Sequence, residues 1–357
     1  MKLPSYEKLT TERGWFSMTP ILSRNRHLNI ITGKRSSGKS TGAAIYILMD
    51  YLKTGKGWIY SRRTKDETDL TCASWFDNAA QILRSEGVDV NVEYNGGKYF
   101  VNGEHAGEAI PMSLQQKRKG DNLSFANWII YDEFIAFDGK YLGGREKPLF
   151  EYQAIMSLYQ TADRDIGISH RNEVKIICLG NSDSYYNPVY MAKGIDKYLT
   201  LESHFIAPKG EEWVVEQLRP EDAVSAEDYL ESVAYKLSDE RTRAYAFENL
   251  AKEQAMNTFI ERYNEPMDPI CNLIYNGMKM GVHYSWRRGI FYVDRKECNT
   301  KTYALTSEDH TPNYWLVKGA HGCEEVKRLK SLYEQGRVRF SEPKVKWAID
   351  NYLHYVV

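Results

Sequence analysis

The sequence predicts an α/β protein in two parts: a doubly wound sheet that carries a phosphate-binding loop, and a smaller α/β domain after it. Three observations carry this prediction. Short apolar runs alternate with segments of helical spacing over residues 1–200, the pattern of βαβ units packed into a parallel sheet. Gly33-Lys34-Arg35-Ser36-Ser37-Gly38-Lys39-Ser40 matches G-x-x-x-x-G-K-[ST] at every position and falls between a strand and a helix. Beyond residue 200 both charge and texture change.

Leu28 to Thr32 is a short apolar strand that runs directly into the glycine-rich loop. Ser40 to Lys53 has helical spacing, with Ala43, Ile47 and Leu52 on roughly one face. Gly57 to Ser61 is a second strand, Trp128 to Tyr131 a third and Val174 to Leu179 a fourth. The last two are continuous apolar runs, as expected of strands covered on both faces. Glu151 to Ala162 reads as the helix between them. Ligands of such sheets bind beyond the carboxyl ends of the strands, where every motif below falls.

Residues 201–258 hold 13 acids and 6 bases, a net of −7, whereas residues 270–357 hold 9 acids and 14 bases, a net of +5. The contrast marks 201–258, with the helical composition of Ser225 to Gln254, as an acidic linker or lid. From Ile270 the pattern becomes β-rich: Asn272 to Tyr275, Gly281 to Ser285, Gly289 to Asp294 and Thr302 to Thr306. Two helical stretches follow, Glu324 to Gln335 and Pro343 to Tyr355. The expected division is an ATPase domain over 1–200, the linker, and a small domain over 259–357.

Bulk properties narrow the class. With 42% hydrophobic and 27% charged residues and a net charge of −1, the 357-residue chain has globular composition and is not a uniformly basic nucleic-acid binder. No stretch approaches the roughly 18 uninterrupted apolar residues of a membrane span, and Met1 to Thr11 lacks the apolar core of a secretory signal. The five cysteines form no Cys-x-x-Cys pair, which disfavours a zinc site or disulfide frame and fits a reducing cytoplasm.

The glycines of the 33–40 loop let backbone N–H groups curl around phosphate oxygens, and the following helix adds its positive end. The expected ATP-binding set is Gly33, Lys34, Arg35, Ser36, Ser37, Gly38, Lys39, Ser40 and Thr41. Lys39 would reach the β- and γ-phosphates and the Ser40 hydroxyl would sit on Mg²⁺. Trp128-Ile129-Ile130-Tyr131-Asp132-Glu133 is an apolar strand ending in two adjacent carboxylates. Asp132 would hold the Mg²⁺ shell and Glu133 would polarise the attacking water as general base. Asn181, after the Val174 to Leu179 strand, is placed to sense the γ-phosphate; an ordinary turn asparagine is the competing reading. Arg164 and Arg171, between the Asp132 and Asn181 strands, are candidates to complete a neighbour's site in trans. Lys119 closes a basic triplet, Lys117-Arg118-Lys119, that could reach a neighbour's nucleotide or DNA. Arg62, Arg63 and Lys65 follow the second strand, where loops often face a ring pore, and are the DNA-binding candidates.

Gly33 to Ser40, Ile59-Tyr60-Ser61-Arg62-Arg63, Ala109-Ile110-Pro111-Met112-Ser113, Tyr131-Asp132-Glu133-Phe134 and Cys178-Leu179-Gly180-Asn181, with Asn272 to Gly281 and Gly336 to Phe340, occur in the order seen in the genome-packaging ATPases of phi29-like phages. The chain resembles that family over most of its length. The resemblance implies an additional-strand, catalytic-glutamate P-loop ATPase domain followed by an RNase H-like domain descended from a terminase nuclease. It implies a homopentameric ring in the host cytoplasm, transiently on the portal (connector) vertex of a procapsid, that pumps double-stranded DNA inward. A structural packaging RNA is implied on the same ground alone. By helix register Arg164 matches the family's trans-acting arginine and Lys119 a lysine offered to the neighbouring site; Asp165 to Ser169 look inserted, which leaves Arg171 a rival.

Two other readings remain. A nucleotide kinase or GTP-binding switch is disfavoured by Glu133 and by the lack of an Asn-Lys-x-Asp motif. A helicase, or a terminase with a working nuclease, would need several carboxylates around the C-terminal strands; Tyr275-Asn276-Gly277 and Val293-Asp294 offer only Asp294. The expectation is a small domain without nuclease activity, whose arginines and lysines bind nucleic acid or portal.

Overall fold

A computed structural model describes residues 3–33, 37–118, 120–136, 139–144, 147, 149–164, 172–181, 187–195, 198, 204–218, 233–238, 265–304, 306–317 and 323–354. Contacts divide the chain into two units, one of Met1–Gly143 and Leu149–Ala251, the other of Gly144–Pro148 and Lys252–Val357. Among the described residues no helix is long and apolar enough to cross a membrane.

The first unit is a nine-stranded sheet. Its strands are β1 (Leu28–Thr32), β2 (Gly57–Ser61), β3 (Val92–Asn95), β4 (Lys98–Val101), β5 (Glu104–Ala109), β6 (Ala126–Asp132), β7 (Lys175–Gly180), β8 (Phe205–Ile206) and β9 (Trp213–Gln217). The order is β3-β4-β5-β2-β6-β7-β1-β9-β8. From β5 to β9 all neighbours are parallel; β3 and β4 at one edge and β8 at the other pair antiparallel. β7 lies between the phosphate-loop strand β1 and the Asp132 strand β6, which is the additional strand that the family resemblance implies.

Strand alternation sends side chains to opposite faces, and the core follows it. Ile31, Trp58, Tyr60, Ile130 and Leu179 join a cluster with helices α1 (Lys39–Thr54) and α2 (Asp77–Ser85), through Ala43, Ile47, Leu48 and Leu83. Ile30, Ile59, Ile129, Tyr131 and Cys178 join a second cluster with helix α3 (Phe150–Ala162), through Ala154, Ile155 and Leu158. Fully burying each isoleucine or leucine among them stabilises by about 1.5–3 kcal/mol, so the two clusters fix the sheet plane and the strand ends that carry the site.

Two features lay outside the sequence reading. The hairpins β3–β4–β5 widen the sheet before β6. β8 and β9 lie within the span 201–258, so the sheet extends beyond residue 200 and the linker cannot begin there. Of Ser225 to Gln254, the helix Val233–Leu237 is described; the remainder lies outside the described residues.

The second unit is a six-stranded sheet: β10 (Asp268–Tyr275), β11 (Met278–Ser285), β12 (Ile290–Asp294), β13 (Thr302–Ala304), β14 (Trp315–Leu316) and β15 (Val338–Phe340), in the order β14-β13-β10-β11-β12-β15. β10, β11 and β12 form an antiparallel meander, continued by β13 and β14 in parallel. Asn276 and Gly277, at φ 50° and 74°, make the two-residue turn between β10 and β11, and both their N–H groups donate to Asp309 at 2.7 Å. Glu324–Glu334 and Pro343–His354 are the two C-terminal helices, and Val326, Leu329, Val345 and Ile349 pack them on the sheet.

Candidate nucleotide site

The carboxyl ends of β1, β2, β6 and β7 surround a cavity of about 650 Å³. Ser37, Gly38, Lys39, Ser40 and Thr41 line it from the phosphate loop; Arg62, Asp132, Glu133, Gly180 and Asn181 line it from the other strand ends. Lys39 heads α1 and is 8% exposed. Its Nζ donates to the Gly33 carbonyl at 3.0 Å and to Ser37 Oγ at 3.1 Å, so the amine closes the loop from within. Gly38 stands at φ 77°, where a side chain would be strained. Gly42 permits a closer approach still: a Cβ there would lie 2.1 Å from the Phe16 carbonyl oxygen. The segment before β1 is thereby pressed against the loop, and Gly14 and Trp15 join the cavity wall.

Across the cavity Asp132 is 5% exposed. Arg62 donates to its Oδ2 through Nε at 3.2 Å and Nη2 at 2.9 Å, and the Tyr60 hydroxyl donates at 3.1 Å. Burial, and then the Asp132 charge, push the Tyr60 phenol up, so it stays protonated and donates. The Glu133 side chain is 57% exposed, with Oε1 at 3.3 Å from Arg62 Nη2. Glu133 adopts φ 53°, an uncommon conformation for a non-glycine residue. One acid is thus buried and paired with a guanidinium, while its neighbour projects into the cavity.

The basic run after β2 divides three ways. Arg62 belongs to the cavity, a role the sequence reading did not give it, although its position at a strand's carboxyl end pointed there. Arg63 is 8% exposed and paired through Nε with Glu151 at 3.0 Å; a buried guanidinium held by a carboxylate cannot grip DNA, and its assignment as a DNA contact is corrected. Lys65 is exposed and pairs with Asp69 one helical turn on, so it remains at the surface.

Gly33 follows β1 and accepts from Lys39 Nζ, and Thr41 lines the cavity from the first turn of α1. Asn181 lines the cavity at the end of β7. Arg164 is exposed, one residue beyond the Asp163 cap of α3, and is not among the cavity-lining residues. Lys34, Arg35, Ser36, Lys119 and Arg171 lie outside the described residues. In the second unit Asp294 Oδ1 lies 3.4 Å from His283 Nε2 and accepts from the Lys296 N–H at 2.9 Å. Among the described residues no group of three or more His, Cys, Asp or Glu is arranged to hold a metal ion.

The family model of the podovirus DNA encapsidation protein (Gp16) matches residues 13–355. The DNA packaging protein of Bacillus phage PZA is 26% identical over 349 residues, covering 93% of this chain and 95% of the relative. That of Bacillus phage phi29 is 25% identical over 349 residues, with the same coverage of each chain. Among solved structures, a chain of the bacteriophage phi29 genome packaging motor assembly superposes with a TM-score of 0.70 at 24% identity, covering 96% of this chain and 97% of that one. A chain of the Phi-28 gp11 DNA packaging motor superposes with a TM-score of 0.66 at 15% identity, covering 96% and 98%. These two structures establish a shared fold.

Proposed function

The chain belongs to the podovirus DNA encapsidation protein (Gp16) family, and on that premise we propose that it is the ATP-hydrolysing subunit of a viral genome-packaging motor. The motor couples hydrolysis to movement of double-stranded DNA through the portal into a procapsid. One observation carries the ATPase reading: Lys39, Asp132, Glu133 and Arg62 converge on a single cavity, with the buried acid neutralised and the other carboxylate free to point inward.

The residues fit a Mg²⁺–triphosphate. Ser40 and Asp132 present hard oxygen donors to the same cavity, as Mg²⁺ requires, and the charge now balancing Asp132 comes from a wall side chain. When bound, Mg²⁺ would be held by Ser40 and Asp132 and would neutralise charge on the phosphates. Lys39 leaves the Gly33 carbonyl for the phosphates. Glu133 accepts the proton of the attacking water at its carboxylate. Arg62, released from Asp132, offers a second cation to the transferring group. Asn181, on the same wall, orients water or reports the γ-phosphate.

Exposed Arg164 supports a trans role in a homo-oligomeric ring, with Arg171 and Lys119 as further candidates on family grounds. Lys65 is the surviving DNA-binding candidate of its run. The packaging RNA, the pentameric ring, the host-cytoplasmic setting and the absence of nuclease activity belong to the same proposal. The test is DNA protection: the protein with procapsids, genome DNA, ATP and Mg²⁺ should shield DNA from added nuclease, and Lys39→Ala should not. Protection without ATP, or by Lys39→Ala at the wild-type level, would refute the motor reading.

A further inference from the structure

We propose that the buried pair Arg63–Glu151 is a positioning device for Glu133, holding the backbone that aims its carboxylate; the inference rests on the reading of Glu133 as the general base. A non-glycine residue at φ 53° persists only where its surroundings impose the conformation. Here they do so from several sides. Arg63 Nη2 donates to the Glu133 carbonyl at 3.3 Å and the Phe134 carbonyl at 3.0 Å. The Phe134 N–H donates to the Leu179 carbonyl at 3.1 Å, tying the corner to β7. The Phe134 ring lies over Gly180, where a Cβ would come within 2.8 Å of it.

Arg63 is in turn fixed. Its Nε lies 3.2 and 3.0 Å from the two Glu151 oxygens, and its guanidinium stacks 5.1 Å from the Tyr141 ring centroid. Glu151 is 1% exposed. Besides Arg63 it accepts the Tyr131 hydroxyl and the Leu142 N–H, the latter at 2.8 Å. A single carboxylate at the start of α3 thereby binds the end of β2, the strand β6 two residues before Glu133, and the chain at Leu142.

An apolar pair of similar volume commonly serves stability as well as a buried ion pair does. What an apolar pair cannot do is donate to two consecutive carbonyls. A lysine could keep the charge but not the fork, since only a guanidinium presents fixed, diverging N–H groups. Neither Arg63 nor Glu151 lines the nucleotide cavity, so each acts on hydrolysis only through the backbone it holds, and the Glu133→Gln background separates the route through Glu133 from those through Arg62 and Asp132.

The experiment is a double-mutant comparison on the full chain. Arg63→Lys and Glu151→Gln are assayed for steady-state ATPase, and for single-turnover hydrolysis in wild-type and Glu133→Gln backgrounds; circular dichroism confirms folding. Each is expected to lower kcat by about 10- to 100-fold, as sub-ångström misplacement of a reacting group does, with KM for ATP within about twofold. In the Glu133→Gln background the same substitutions should lower the residual rate no further, since residues acting as a unit are non-additive. Should both variants fail to fold, Tyr131→Phe, which removes one hydroxyl and keeps the pair, carries the same comparison with a smaller fall in kcat. Folded variants with wild-type kcat, or losses that recur in full without Glu133, would overturn the proposal. A Glu133→Gln protein hydrolysing ATP at the wild-type rate is a separate outcome: it refutes the base assignment and the proposal with it.

Discussion

Replacing Arg62 by Met would keep most of the side-chain stem and remove the charge. Two N–H bonds to Asp132 at 3.2 and 2.9 Å and the 3.3 Å contact with Glu133 disappear together. Asp132, 5% exposed, would keep the Tyr60 hydroxyl as a hydrogen-bond donor at 3.1 Å. Breaking a buried pair by deleting one partner costs about 3–5 kcal/mol. Tyr60 and the open cavity, which admits water, place this case below that range, at about 2–3 kcal/mol. At roughly 2–4 °C per kcal/mol for a unit of this size, the first unit should melt about 4–12 °C lower. Mg²⁺ held by Asp132, as proposed, would supply the counter-charge that the guanidinium supplied, so with Mg²⁺ and ATP present the loss should shrink to under about 1 kcal/mol after correction for binding. The assay is thermal unfolding of both proteins with and without Mg²⁺–ATP. Equal losses in the two conditions, or no loss without ligand, would refute the view that Arg62 occupies the counter-charge position of Asp132.

Arg164→Ala should bind ATP yet fail to hydrolyse it in the assembled ring, and mixing it with Lys39→Ala subunits should restore some turnover at mixed interfaces; no rescue at any ratio points to a cis role or to Arg171. His283, whose hydrogen bonds to Asp294 and then Cys298 hold its pKa up to about 9, contributes stability that is complete below about pH 6.5 and is lost as pH rises through 9. In the full chain its ring resonances should therefore titrate near 9, and nearer 6.5 in Asp294→Asn; an unchanged midpoint would sink the assignment. Incubation with plasmid DNA and Mg²⁺ or Mn²⁺ should give no metal-dependent cleavage, because Asp294 is engaged by His283; cleavage abolished by Asp294→Ala would contradict this.

The parts of the molecule legible in the sequence were those with local signals. The glycine-rich loop, the apolar strand into Asp132 and Glu133, and the helix from Phe150 to Ala162 each announce themselves within a dozen or so residues. The run Arg62-Arg63-x-Lys65 shows what such signals cannot carry. Three basic residues within four positions look alike, but Arg62 answers to Asp132, 70 positions away, and Arg63 to Glu151, 88 away. β9 was obscured because its neighbourhood is acid-rich, although its five residues are all buried beside β1. β3 to β5 were missed for a related reason: Val92–Asn95 and Glu104–Ala109 mix polar and apolar residues, as half-covered strands do.

In the proposed reaction Glu133 activates water while Lys39 and Asp132 hold the nucleotide and its metal. Single-turnover hydrolysis of γ-labelled ATP by Glu133→Gln, alongside its ATP affinity, tests this directly. Binding should stay near the wild-type level while hydrolysis slows by about 10²–10⁴-fold. Hydrolysis by Glu133→Gln at the wild-type rate would contradict it.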